Sequence, residues 1–105
     1  MKHFNKYLTT IFILVYWSMK KISTSDRNAF LNQLGVKYND EKQLITMKNE
    51  ELNCYECFIR AANKVEDADC DKILKKCIKE ACKNNLVTQE QENNFLIKTM
   101  IEQTR

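Results

Sequence analysis

All five cysteines of the chain fall in one stretch, NCYECFIRAANKVEDADCDKILKKCIKEAC, residues 53 to 82. Thiols at such spacing can hold a metal, cycle between thiol and disulfide, or staple a small fold. A CxxC followed by a second pair is a zinc spacing, and Cys54, Cys57, Cys77 and Cys82 could make an all-thiolate site. Structural zinc pairs sit on knuckle-like turns, however, whereas these lie in helix-like patterning. A redox-active CxxC sits at a helix start after a strand, where the helix N-terminus lowers the first thiol's pKa. CYEC is expected mid-helix with no strand before it, which argues against redox catalysis. No metal or cofactor is therefore expected.

Staples remain. If two helices lie antiparallel about a reversal near Asp67 or Ala68, residues equidistant from the turn face each other, because both helices rise about 1.5 Å per residue. Cys57 and Cys77 mirror about position 67, and Cys54 and Cys82 about position 68. The expectation is two nested disulfides, Cys54 to Cys82 and Cys57 to Cys77. Cys70 is left over, as a free thiol or as the link of a homodimer. This layout is similar to the stapled helical hairpins of some small plant defence peptides and scorpion potassium-channel toxins. Those space each pair as CxxxC, where this chain has CxxC and CxxxxC. CYECFIRAANKVE also resembles the opening of a saposin-type lipid-binding module, although the later half of that six-cysteine pattern is absent.

The elements that must position these thiols read as helical. With no Pro and one Gly, the chain lacks the usual hairpin-turn residues. SDRNAFLNQLG reads as a helix capped by Ser25 or Asp26 and ended by Gly35. DEKQ, Asp40 to Gln43, fits a capping box for a long helix reaching about Glu66. Its apolar positions are Leu44, Ile45, Leu52, Tyr55, Phe58, Ile59, Ala62 and Val65. After a reversal at EDAD, a second helix carries Ile73, Leu74, Cys77, Ile78 and Ala81. Thr88 and Gln91 form a further capping box, opening a last helix with Phe95, Leu96, Ile97, Met100 and Ile101. The expected fold class is all-α: a small disulfide-stapled bundle of about four helices built around a helical hairpin.

The first 25 residues read differently. Lys2 and Lys6 precede the apolar run YLTTIFILVYWSM, and Ser23 and Ser25 place small residues before Asp26. That is the layout of a secretory signal peptide, and the run is shorter than the roughly 20 residues a membrane span needs. The expected organisation is a signal at 1–25 and a helical domain at 26–105, with 26–52 a candidate propeptide. Secretion to the extracellular space follows. The four lysines of residues 1–25 have no acidic counterpart, so residues 26–105 hold thirteen basic against fourteen acidic residues. That balance gives no case for nucleic acid or for a membrane partner after cleavage.

The only histidine, His3, lies in the same segment. The remaining domain has no imidazole to act as base or ligand, so an enzyme is not expected. The expected function is a secreted binding protein acting on a protein target, in the manner of a venom, salivary or effector polypeptide that modulates an ion channel or a host protein. Lys72, Lys75, Lys76, Lys79 and Lys83 recur by threes and fours opposite the Ile73/Leu74/Cys77 stripe. They form either a contact face for an acidic partner or an ordinary solvated face. The alternative function is a carrier of small apolar ligands or lipids, in a cavity lined by Phe58, Ile59, Phe95 and Met100.

Overall fold

Asn5 caps the first helix, α1 (Lys6–Lys20). Its Oδ1 accepts from the Leu8 amide at 2.8 Å, and its Nδ2 donates to the Ala61 carbonyl at 3.2 Å. One contact satisfies a free amide of the helix start; the other ties that start to a distant part of the chain. The computed structural model describes residues 5–65 and 67–103, so Lys2 and His3 lie outside the described residues. Lys21, left-handed at φ 53°, ends α1. Ser23 then caps α2 (Thr24–Gln33) by accepting from the Asp26 amide at 3.1 Å. Gly35 follows the helix end at φ 72°, a conformation that favours glycine.

From Val36 onward the long helix expected from Asp40 is replaced by a sheet. β1 (Val36–Asn39), β2 (Leu44–Met47) and β3 (Glu50–Leu52) form one antiparallel sheet in the order β1-β2-β3. The register sets Val36 opposite Met47, Tyr38 opposite Ile45, and Ile45 opposite Leu52. Alternate residues therefore share a face, and Val36, Ile45, Met47 and Leu52 are all buried on it. Two turns without glycine make the sheet possible. Lys48 and Asn49 form a two-residue hairpin turn, both at positive φ (54° and 67°), where asparagine does the work usually given to glycine. Between β1 and β2, the Asn39 Oδ1 accepts from the amides of Glu41 and Lys42 at 3.0 and 3.1 Å. Asp40 does not cap a helix, because its carboxylate is engaged by Arg27.

Helical structure resumes at α3 (Cys54–Ala62), where the Asn53 Oδ1 accepts from the Glu56 amide at 2.8 Å. Glu66, the expected end of the long helix, lies outside the described residues. α4 (Ala68–Lys83) starts at its Asp67 cap. Asn85, at φ 62°, then turns the chain towards α5 (Gln89–Gln103). Thr88 and Gln91 make the reciprocal capping box read from the sequence: the Gln91 amide donates to the Thr88 Oγ1 at 3.1 Å, and the Thr88 amide to the Gln91 Oε1 at 2.9 Å. The architecture among the described residues is thus five helices and a three-stranded sheet, a mixed α/β fold in place of the all-α bundle.

The staples are also absent. All five cysteines are free thiols, so neither Cys54–Cys82 nor Cys57–Cys77 is formed. The mirrored spacing assumed a helix continuous from Cys54 up to the reversal, whereas α3 ends at Ala62 and α4 starts only at Ala68. A second reason lies in α4 itself. Residues five apart on a helix point about 140° away from each other, so Cys77 and Cys82 cannot both face one neighbouring helix. Cys77 is buried. Cys82 turns towards α5, with its Sγ 3.5 Å from the Gln89 Oε1.

The core centres on α1. Tyr7, Leu8, Ile11, Leu14 and Val15 are buried, and the helix packs against α3, α2 and α4. The apolar run expected to leave as a signal is therefore an integral core element of this fold. Phe58 of α3 meets Phe95 of α5 edge-on, with ring centroids 6.0 Å apart.

Candidate functional site

Four of the five lysines singled out in the sequence share the solvent side of α4. Lys72, Lys76, Lys79 and Lys83 are exposed, and their spacing of four, three and four residues keeps them on one side of the helix. The opposite side carries the buried Leu74, Cys77, Ile78 and Ala81. Lys75 differs: it is half-buried and paired with Asp71 at 3.0 Å, one turn earlier on the same helix. Where α4 meets the start of α5, Lys76, Lys79 and Lys83 line a groove of about 650 Å³ together with Glu80, Cys82, Gln89 and Glu92. Lys83 lies 3.5 Å from Glu80. The groove thus sets three lysines against two glutamates, and Lys72 extends the positive face beyond it.

The cysteines sit where redox chemistry would want them but in the wrong surroundings. Cys54 and Cys57 occupy the first turn of α3, one residue after β3 ends at Leu52. A CxxC at a helix start after a strand is the arrangement that depresses a thiol pKa, and the mid-helix placement expected from sequence is corrected here. Burial overrides the helix terminus. It pushes the thiols of Cys54 and Cys57 up to about 12, with Cys57 and Cys77 adding to the effect at Cys54. Burial likewise pushes Cys77 up to about 11, helped by Glu80. Cys82, at the groove, is raised by its hydrogen bond with Glu92. These thiols are therefore poor nucleophiles at neutral pH. Cys70 is 6% exposed, so a disulfide between two copies of the chain requires α4 to open at its first turn.

The residues expected to line a ligand cavity differ in their surroundings. Phe58 and Phe95 are buried against each other through their ring contact, Ile59 is half-buried, and Met100 is 62% exposed.

A feature that sequence reasoning missed is the environment of Arg27. Its side chain is fully buried, and its guanidinium makes two hydrogen bonds to Asp40, Nη1 to Oδ1 at 2.6 Å and Nη2 to Oδ2 at 2.9 Å. Nε and Nη2 also donate to the Asn28 Oδ1 at 3.3 and 3.0 Å. The guanidinium carbon lies 4.4 Å from the centroid of the Trp17 ring and 4.6 Å from that of Tyr38. One cation therefore ties α1, α2, β1 and the β1–β2 turn together. Arg27 holds the Asp40 carboxyl below its usual pKa, while burial raises the Tyr38 phenol. No local signal marks Arg27 in SDRN, because its partners come from other elements. This network serves the fold and has no exposed cationic group to offer a ligand.

Among the described residues, no group of three or more His, Cys, Asp or Glu side chains is placed to hold a metal ion, and no helix is long and apolar enough to cross a membrane. The class defined by these elements is a small α/β domain with a lysine-lined groove between its last two helices. No protein-family model, curated protein or solved structure matches the chain.

Proposed function

We propose that the protein is a non-enzymatic binding module that docks an acidic segment of another protein through the lysine face of α4. The observation that carries this reading is the placement of Lys72, Lys76, Lys79 and Lys83 on one exposed side, three of them at the groove shared with α5. Such a face favours association with an acidic partner mainly by raising the on-rate and by suppressing basic competitors. Buried thiols with raised pKa values support a binding role over a nucleophilic one. The Lys75–Asp71 pair takes Lys75 out of the contact set.

The test uses a poly-glutamate peptide as the acidic probe and the fourfold variant Lys72→Gln, Lys76→Gln, Lys79→Gln and Lys83→Gln. The native chain is expected to bind the peptide with a steep salt dependence. The variant is expected to bind about tenfold or more weakly and with a flatter dependence. Equal binding by the two proteins would return this face to an ordinary solvated surface.

A further inference from the structure

The outer side of α1 is apolar where solvent would normally meet polar side chains. Phe12, Tyr16 and Met19 are 53%, 44% and 47% exposed, and their spacing places them on one stripe. The rings of Phe12 and Tyr16 stack, with centroids 6.1 Å apart and planes 15° from parallel. Next to Phe12, an apolar pocket of about 190 Å³ opens between α1 and α4, lined by Leu8, Thr9, Phe12 and Ile73. The edge of the stripe is cationic. Lys6 and Lys20 are exposed, and a helical projection places them about 120° and 80° round from Phe12, on the same side. Lys21 follows, also exposed, and α1 contains no carboxylate. Residues 1–25 hold four lysines and no acid, so they account for the +3 of a chain that is otherwise slightly acidic.

An exposed aromatic stripe on a helix whose only charged side chains are lysines complements one kind of surface. Rings and a thioether enter the boundary between headgroups and acyl chains, while ammonium groups meet anionic headgroups. A second copy of the chain fits poorly. A twofold contact through this stripe would set the lysines of one copy beside those of the other. We propose that the outer face of α1 docks an anionic lipid surface, with the helix lying in the interface plane without crossing it. The proposal is independent of the lysine face of α4, which belongs to another helix, and it requires residues 1–25 to remain on the chain.

The experiment sediments the full chain, its mass confirmed, with vesicles of phosphatidylcholine alone or with phosphatidylserine added. Binding is expected to the anionic vesicles, to weaken with salt, and to fall about tenfold or more on neutral vesicles. The double variant Phe12→Ser, Tyr16→Ser alters exposed side chains only, and its helix content should match the native chain by circular dichroism. It is expected to bind anionic vesicles about tenfold or more weakly. Lys20→Gln with Lys21→Gln should weaken binding roughly fivefold. The fourfold lysine variant of α4 should bind vesicles as the native chain does. Absence of binding to anionic vesicles, or unchanged binding by the aromatic variant, would overturn the proposal. So would a dimer of the native chain in solution that the aromatic variant abolishes, since that assigns the stripe to a second copy.

Discussion

Two cationic regions of this molecule put similar charges to opposite uses. At the corner of α1, α2 and β1, one guanidinium is fully buried, paired to Asp40 and held between the rings of Trp17 and Tyr38. Along α4, four ammonium groups stand in solvent, and the closest carboxylate contact among them, Lys83 to Glu80, is a surface pair at 3.5 Å. Exposed pairs of that kind contribute between nothing and about 1 kcal/mol. A buried ion whose partners all come from its own chain is committed to the fold, because removing any partner leaves a desolvated charge. The lysines carry no such commitment, and their field is available to a partner.

The comparison breaks most decisively through α1, which supplies the corner with Trp17 and the core with Tyr7, Leu8, Ile11, Leu14 and Val15. Burying five such side chains contributes roughly 10 kcal/mol, comparable with the whole net stability of a small domain. A chain starting at Asp26 is therefore expected to lose its cooperative thermal transition by circular dichroism. A cooperative melt of residues 26–105 would show that α1 is dispensable and would make removal of residues 1–25 compatible with the fold.

Alkali provides the next largest effect. Burial pushes Cys54 and Cys57 up to about 12 and Cys77 up to about 11 in the folded chain, against 9.0 for the free thiol. Folded pKa values above the unfolded ones mean that the folded state holds these protons more tightly. Their contribution is therefore fully present below pH 9 and is lost as the pH rises from 9 towards 12. By pH 10 the loss is on the order of 4 kcal/mol for the three thiols together. Urea midpoints at pH 7 and pH 10 measure it, and Cys54→Ser should flatten the difference. Equal midpoints would show that the thiols are not held in a dry core.

How much of this was legible before the structure differs along the chain. The second half could be read locally. The apolar series Ile73, Leu74, Cys77, Ile78 and Ala81 and the Thr88/Gln91 box lie within single helices, and so does the lysine spacing. Residues 36–52 could not be read in that way. Strands of three or four residues hold at most two inward positions each, too few for an alternation to stand out against a helical pattern. Their turns also lack the usual glycine or proline. The clue was the abundance of asparagine: Asn39, Asn49 and Asn85 shape turns, while Asn5 and Asn53 cap helices. The pairing of cysteines was a different kind of miss. The five-residue step between Cys77 and Cys82 already conflicts with two bridges to one facing helix. Arg27 was out of reach, since its burial depends on Trp17, Tyr38 and Asp40, brought in from three separate elements.

The smallest effects sharpen the opening contrast, because one substitution at the corner should outweigh four on α4. Arg27→Ala removes the paired hydrogen bonds to Asp40, withdraws the plane on which Trp17 and Tyr38 rest, and leaves a void beneath α1. Asp40 is half-exposed and regains water, which places the expected loss at about 3 kcal/mol, the low end for breaking a buried pair. The fourfold Lys→Gln variant of α4 touches exposed side chains and should stay within about 0.5 kcal/mol of the native chain. Acid offers an independent check on the corner. Arg27 holds the Asp40 pKa below its ordinary value of 3.8, so this carboxylate stabilises the fold above that value, and its contribution fades as the pH falls through the depressed one. The native chain should lose that increment in acid, while Arg27→Ala, lacking the cation, should not. Urea melts of the three proteins at neutral and acidic pH read all of this. If the fourfold lysine variant proves less stable than Arg27→Ala, the roles are reversed: the α4 face is structural, and the corner is not what holds α1 to the sheet.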